Sequence, residues 1–131
     1  MIFVNSALTV LLYLRDQKPG IAYPGCWDLL GGSVEPGESP ERCIKREILE
    51  EIEFDLKTPR LFKVYDMEDR VEHTYWAMQD LDIAKTRLHE GQRLQWFSQQ
   101  EIIELLENQI GFGFKEIVLD FFRQQPWKKH R

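Results

Sequence analysis

The sequence has few cysteines, no long apolar run and no excess of positive charge, and each absence excludes a class of protein. Two cysteines among 131 residues cannot form a multi-disulfide framework, and neither lies in a metal-ligand spacing. The net charge of −5 disfavours a general binder of nucleic-acid polymers, which needs a basic surface. A hydrophobic content of 43% suffices for a packed core, and the length predicts one domain over residues 1–131.

The beginning of the chain carries no sign of export or membrane insertion. Residues Met1–Ser6 lack the basic start of a signal peptide, and the apolar run Ala7–Leu14 is too short to span a bilayer. Cys26 and Cys43 suit a reducing compartment. The sequence therefore predicts a cytoplasmic protein without a membrane partner.

The most informative stretch contains a predicted acidic helix. Ser39 is a favourable N-cap, and Pro40 at the first helical position has no N–H to leave unsatisfied, so the helix should begin at Pro40. At about 100° per residue, three glutamates share one face, beside an apolar stripe that would dock on a sheet. The glutamates are Glu47, Glu50 and Glu51, and the stripe is Ile44, Ile48 and Ile52.

Three carboxylates on one helical face repel one another by roughly 0.2–0.5 kcal/mol per pair. Stability alone therefore does not favour the pattern. A hard divalent cation such as Mg²⁺ does favour it, because proteins bind this ion through carboxylates, waters and substrate phosphate oxygens. The alternative interpretation is a solvated acidic face without a ligand.

A tight loop precedes the acidic helix. Trp27–Leu30 is predicted to be a short strand, and the Gly31-Gly32 pair that follows lets the backbone approach a ligand closely. Glu35–Glu38 fits a type II turn, with proline and glycine at its central positions. Strand, loop and helix together would point the acidic face back over the loop.

The stretch Gly32–Phe54 resembles the box motif of the Nudix hydrolases at eight of nine specified positions. The matching residues are Gly32, Glu38, Arg46, Glu47, Ile48, Glu50, Glu51 and Phe54. The resemblance implies an α/β fold, a Nudix-like α/β/α sandwich with a small mixed sheet, over nearly all of the chain.

Glu53 departs from the box, which has glycine there. Because glutamate would strain a left-handed helix end, we predict that the helix continues past Ile52 with Glu53 in right-handed geometry.

The resemblance also implies a reaction and a set of site residues. The expected reaction is hydrolysis of a phosphoanhydride in a nucleoside diphosphate linked to another group, by water that Mg²⁺ or Mn²⁺ activates. The implied metal ligands are Glu47, Glu50, Glu51 and the carbonyl of Gly31 or Gly32. Glu38 would be a secondary ligand or a brace of the loop, and Arg46 would orient a glutamate.

Glu90 lies in the long polar connection Asp80–Leu94, where many family members carry a further acidic residue. It is a candidate general base or fourth carboxylate, with Glu47, Glu50 and Glu51 as the other candidate bases. The alternative is an exposed loop glutamate. Connections of this length are usually functional or mobile, so an essential base here would reach the site when the loop closes over substrate.

Three further residues are candidates for substrate binding. Arg15 matches an arginine that family members often carry near substrate phosphates, and Tyr75 or Trp76 could stack a nucleobase. For each residue the alternative is structural: a charge that ends a strand, or a ring packed on the sheet. We interpret His73 as a structural histidine.

The implied partner is a small nucleoside-diphosphate substrate. The sequence does not distinguish nucleoside triphosphates, dinucleoside polyphosphates, nucleotide sugars and coenzyme A derivatives, and it leaves the oligomeric state open. The runner-up function is a Nudix-fold sensor that binds a nucleotide without hydrolysing it.

The remaining elements follow from periodicity and turn residues. The predicted strands are Leu8–Leu14, Arg60–Met67, Val71–Gln79 and Leu94–Phe97, the second and third as an antiparallel pair. A capping box at Ser98 predicts a helix over Ile102–Glu107, and another helix should span Phe114–Arg123. Nudix family members commonly carry another strand before the one that corresponds to Leu8–Leu14. In this chain that earlier strand must be short, absent or supplied otherwise. Residues from about 125 to 131 are predicted to form a disordered basic tail.

Overall fold

The computed structural model describes residues 1–130, and residues 1–128 with their side chains. Within that range the strands are β1 (Ile2–Val4), β2 (Val10–Leu14), β3 (Trp27–Asp28), β4 (Arg60–Asp66), β5 (Val71–Met78) and β6 (Arg93–Phe97). The α-helices are α1 (Pro40–Ile52), α2 (Gln99–Glu104) and α3 (Phe114–Gln124). Two short 3-10 helices, Glu107–Gln109 and Pro126–His130, follow α2 and α3.

The strands form one mixed sheet in the order β3-β2-β1-β5-β4, with β6 also paired to β2. The pairing of β1 with β5 is parallel, and β4 with β5 is antiparallel, as the sequence predicted. The open question about an earlier strand is also answered, since β1 is present and three residues long. The expected α/β sandwich with a small mixed sheet is confirmed.

Two apolar cores lie on opposite faces of this sheet because neighbouring strand residues point in opposite directions. In β2, Leu12 packs in the core that contains α3, whereas Leu11 packs in the core beneath α1. The same alternation in β5 sends Trp76 to the α3 core and Tyr75 to the α1 core. The predicted docking of α1 by its isoleucine stripe is confirmed.

Helix α1 begins where the sequence predicted. Ser39 is extended at φ −77°, its side chain accepts the N–H of Arg42, and Pro40 is the first helical residue. The capping box at Ser98 is also present, although α2 ends at Glu104, earlier than expected. Leu106, which lay inside the predicted helix, is 63% exposed, because the chain leaves the helix before reaching it.

The prediction that α1 continues past Ile52 is wrong. Glu53 adopts the left-handed conformation at φ 54° and ψ 33°, and its N–H donates to the carbonyl of Leu49 at 3.0 Å. Its carboxylate pairs with the ring of His89. The backbone N–H of His89 donates to the carbonyl of Glu51 at 2.9 Å. The bond to Leu49 caps the helix, and the contacts with His89 help to offset the roughly 1–2 kcal/mol cost of a left-handed non-glycine residue.

The prediction of a disordered tail from about residue 125 is wrong for the part that the structure describes. Residues Pro126–His130 form a 3-10 helix, and Trp127 is 4% exposed. Its ring packs against Phe121, with centroids 5.4 Å apart. Burial of this large ring outweighs the basic composition that motivated the prediction. Arg131, which the prediction also covered, lies outside the described residues.

Candidate functional site

The glycine pair Gly31-Gly32 lies against two carboxylates of α1. The N–H of Gly31 donates to Oε1 of Glu51 at 2.8 Å. The carboxylate of Glu47 is so close to Gly32 that a Cβ on this glycine would lie 2.4 Å from Glu47 Oε1. Any side chain at position 32 would displace the Glu47 carboxylate, and two glutamates one turn apart meet the loop at one place.

Arg46 ties the loop to the helix. Its Nε and Nη2 donate to the two carboxylate oxygens of Glu38 at 2.7 and 3.0 Å. Its Nη1 donates to Glu47 at 2.8 Å and more weakly to Glu50 at 3.3 Å. Arg46 thus joins Glu38 of the loop to Glu47 of the helix.

Glu38 has the contacts of a brace rather than of a ligand. Besides Arg46, it accepts the backbone N–H of Glu35 at 3.0 Å, which closes the turn before the helix. The hydrogen bonds from Arg46 hold the pKa of the Glu38 carboxyl at about 2, well below its ordinary value. Of the two roles left open for Glu38, the structure supports the brace.

Glu51 is the most perturbed acid of the site. It is 4% exposed, and this burial raises the pKa of its carboxyl to about 8. The hydrogen bond from Gly31 opposes the shift, whereas the negative charges of Glu47 and Glu90 add to it. Such crowding of desolvated carboxylates is costly without a cation, and perturbed acids in a cleft are typical of functional sites.

The donor set fits a hard divalent cation. Glu47 and Glu51 supply carboxylate oxygens and the glycine loop supplies backbone oxygens, which are the ligands that Mg²⁺ and Mn²⁺ take. Among the residues that the structure describes, however, no three His, Cys, Asp or Glu side chains are arranged to hold a metal ion. Glu50 accounts for part of this, because its carboxylate is 59% exposed and faces Arg46.

Glu90 lines the same cleft as the glycine pair. Glu90 is exposed, as the alternative interpretation held, and its negative charge contributes to the raised pKa of both Glu51 and Tyr13. The structure thus brings together five residues predicted from sequence: Gly32, Arg46, Glu47, Glu51 and Glu90.

The cleft beside the glycine pair has a volume of about 270 Å³. Arg15 lies on its floor, where Nη1 donates to Asp28 at 3.0 Å and to the Tyr13 hydroxyl at 3.1 Å. Burial raises the pKa of the Asp28 carboxyl to about 6, against the lowering effect of Arg15. Arg15 also lies 5.2 Å from the centre of the Phe112 ring.

Tyr75 and Trp76 are not brought to this cleft. Tyr75 is 9% exposed in the α1 core, and Trp76 is 4% exposed in the α3 core. Trp76 lines a different cavity of about 450 Å³, together with Arg60 and Lys57. These positions match the structural alternative, while His73 does line the cleft.

Sequence reasoning missed several residues of the cleft. Tyr13, Asp28, Arg70 and Phe112 line it together with Arg15. For Asp28 a signal was available, since an acidic residue inside the apolar strand Trp27–Leu30 is costly to bury unless it has a partner. For Phe112 and Arg70 the signal is absent, because only the fold brings their loops to the glycine pair.

The family comparison agrees with this geometry. The model of the NUDIX domain matches residues 1–119. The chain belongs to the Nudix family. The departure at Glu53 therefore does not remove the chain from the family.

Two curated relatives show what Nudix proteins of similar sequence do. Diphosphoinositol polyphosphate phosphohydrolase 2 of Rattus norvegicus is 30% identical over 89 residues, covering 65% of this chain and 50% of the relative. The putative 8-oxo-dGTP diphosphatase of Bacillus subtilis is 38% identical over 65 residues, covering 50% of this chain and 40% of the relative. The chain thus spans half or less of the length of these relatives.

A solved structure shows the same fold. The MutT/nudix family protein from Listeria innocua superposes with a TM-score of 0.75 at 20% sequence identity, over 98% of this chain and 92% of that one. Helices and strands of this Nudix chain are therefore arranged as in a solved Nudix protein. Among the described residues, no helix is both long and apolar enough to cross a lipid bilayer.

Proposed function

We propose that this Nudix protein is a divalent-metal-dependent pyrophosphohydrolase. Its reaction would cleave a phosphoanhydride of a nucleoside diphosphate linked to another group. The observation that carries the proposal is the convergence of Glu47 and Glu51 on the Gly31-Gly32 loop, which lines the same cleft as Glu90.

Each residue of the site has a distinct role in this proposal. Glu47 and Glu51 hold the cation with a carbonyl of the glycine pair, and Glu50 joins them after leaving Arg46. Mg²⁺ or Mn²⁺, when bound, supplies Lewis-acid stabilisation of phosphate charge and lowers the pKa of water. Glu90 accepts the proton of the attacking water, which then forms the new bond to phosphorus while the anhydride oxygen leaves.

Arg46 contributes through orientation. Two short donor contacts hold Glu38 of the loop, and a third holds one oxygen of Glu47 and leaves the second oxygen of this carboxylate for the cation. Partners that orient the ligands of a metal typically change activity or metal affinity by about 10–100-fold when they are removed.

The cleft favours a nucleotide over a more highly phosphorylated molecule. Its two arginines are already paired with acids of the cleft, Arg15 with Asp28 at 3.0 Å and Arg70 with Glu72 at 2.7 Å, which leaves little net positive charge for additional phosphates. The aromatic wall of Phe112 and Phe114 suits a planar base. The diphosphatase relative acts on a nucleotide by its name, which supports this choice over the inositol polyphosphates named for the other relative.

A substrate screen tests the proposal. Purified protein would be incubated with nucleoside triphosphates, dinucleoside polyphosphates, nucleotide sugars, coenzyme A and diphosphoinositol polyphosphate, each with Mg²⁺ or Mn²⁺ and each with chelator. Release of phosphate, pyrophosphate or nucleoside monophosphate from a nucleotide, lost in chelator and in Glu47→Gln, is the expected result.

Two outcomes would contradict the proposal. Binding of a nucleotide without hydrolysis under any metal would identify the runner-up function, a sensor. Hydrolysis confined to the diphosphoinositol substrate would retain the chemistry and overturn the nucleotide assignment.

The cytoplasmic location remains a prediction from sequence, to which the free, buried Cys26 and Cys43 add a consistent observation.

A further inference from the structure

The end of helix α1 is joined to the connection between β5 and β6 by two separate contacts. The backbone N–H of His89 donates to the carbonyl of Glu51 at 2.9 Å. The ring nitrogen Nε2 of His89 bonds to the carboxylate of Glu53. Arg87 adds a longer ion pair to the same carboxylate at 3.8 Å.

The residue after His89 is Glu90, and its backbone is also held on the other side. The N–H of Gln92 donates to the carbonyl of Leu14 at 2.7 Å, and the Gln92 side-chain amide donates to the carbonyl of Arg15 at 2.8 Å. Gly91 lies so close to β2 that a Cβ there would be 2.6 Å from the Tyr13 ring. The chain on either side of Glu90 is thus held at the end of α1 and at the end of β2.

Glu53 occupies the position at which the Nudix box has glycine. Glycine would adopt φ 54° without strain and would keep the N–H bond to Leu49, so the helix end itself does not require a side chain there. What glycine cannot supply is the carboxylate that reaches His89. The side chain of Glu53 therefore serves the connection that carries Glu90 rather than the helix.

We propose that Glu53 is a positioning residue, which holds His89 and thereby places Glu90 over the carboxylate face of α1. This inference rests on the proposed function for the role of Glu90, but the contact itself does not. The Glu53 carboxylate and the His89 ring are about half exposed, at 50% and 47%. Because solvent weakens such an ion pair, its loss should reduce the ordering of Glu90 without abolishing it.

The test compares Glu53→Gly, His89→Ala and the double variant with the parent. Glu41→Gln is the matched control, because Glu41 is an exposed residue of the same helix whose carboxylate pairs with Lys45 at 4.0 Å instead. Amide hydrogen exchange at His89 and Glu90 is measured in metal-free buffer, which gives a readout independent of activity. Values of kcat and KM are measured on the substrate that the screen identifies.

In Glu53→Gly, exchange at His89 should accelerate by up to about 5-fold, the factor that corresponds to losing an exposed ion pair. The kcat should fall by a similar factor with KM within about 2-fold, because a general base acts on water and not on substrate binding. The thermal unfolding temperature should stay equal or rise, since glycine relieves the left-handed strain. The double variant should lose no more kcat than His89→Ala alone.

Parental exchange at His89 in Glu53→Gly would overturn the proposal, and so would faster exchange with unchanged kcat. A purely structural Glu53 would lower the unfolding temperature on substitution and leave the ratio of kcat to KM as in the parent. If the parent hydrolyses no substrate, the proposed function fails, while the exchange data still decide whether Glu53 holds His89.

Discussion

At the scale of single residues, Glu50 and Glu51 are neighbours with opposite environments. Glu51 is buried at the glycine pair, whereas the carboxylate of Glu50 is more than half exposed beside Arg46. The two glutamates would share one ligand role in the Nudix site, yet only Glu51 is desolvated in the protein without its cation. The same substitution should therefore affect stability differently at the two positions.

We predict that Glu51→Gln stabilises the metal-free protein and abolishes most activity. Because the pKa of Glu51 is about 8 when folded, above its ordinary 4.5, its favourable contribution is complete below pH 4.5 and is lost as the pH rises towards 8. The gain from glutamine should thus grow over this window, to on the order of 2–4 kcal/mol at pH 8. Urea unfolding in chelator from pH 5 to 8 measures it.

Glu50→Gln is the control for this pH dependence. It should lower activity as well, but its free energy of unfolding should follow that of the parent at every pH, because its carboxylate is exposed. An equal stability gain in both variants would show that charge crowding along α1, and not burial of Glu51, sets the cost.

Arg46 gives a second prediction at this scale. Arg46→Lys keeps the charge but cannot donate to both oxygens of Glu38 and to Glu47 at once. We expect kcat to fall by about 10–100-fold with little change in unfolding free energy. Arg42→Lys, at an exposed position of the same helix, should retain parental kcat. Full activity in Arg46→Lys would show that orientation of Glu47 does not need the fork of arginine.

At the scale of elements, the connection after β5 depends on one glycine. Gly91 has φ +87°, and an added Cβ would meet Tyr13 Cδ2 at 2.6 Å and the Leu14 carbonyl oxygen at 2.7 Å. Gly91→Ala should therefore destabilise the protein by about 1–3 kcal/mol beyond the backbone strain and displace Glu90. Denaturant unfolding and kcat measure the two effects.

Gly20→Ala is the matched control for this glycine. Gly20 has the same φ of +87° but open space around the added methyl group. Its substitution by alanine should therefore cost only the free energy of the left-handed backbone strain. If both alanine variants lose the same stability, the tight packing of Gly91 on β2 has no energetic consequence, and the connection is not anchored there.

At the scale of the whole molecule, the residues after α3 complete the α3 core. Trp127 packs on Phe121 and Phe122 and is 4% exposed. Trp127→Ala should lower the free energy of unfolding by about 3–5 kcal/mol, the usual range for a buried aromatic residue. Calorimetry would show this, with Leu106→Ala as the exposed control. A loss below about 1 kcal/mol would show that the packing of Trp127 contributes little to stability.

The sequence by itself determined the start of α1, the shared face of Glu47, Glu50 and Glu51, and the turn before them. These features depend on helical periodicity and on capping and turn residues, which act over a few neighbouring positions. The Nudix family follows from the same stretch, because the box is contiguous in the chain. Most of the strands were predictable for a similar reason, since a period of two is readable locally.

Only the tertiary structure decided where α1 ends, which acids are buried and what holds Glu90. The left-handed Glu53 depends on His89, 36 residues away, and the cleft combines Asp28 with residues from loops far along the chain. Trp127 looked like part of a polar tail until Phe121 supplied a surface for it. Such contacts outweigh local propensity, because a long-range hydrogen bond or a buried ring contributes about as much free energy as several residues of propensity.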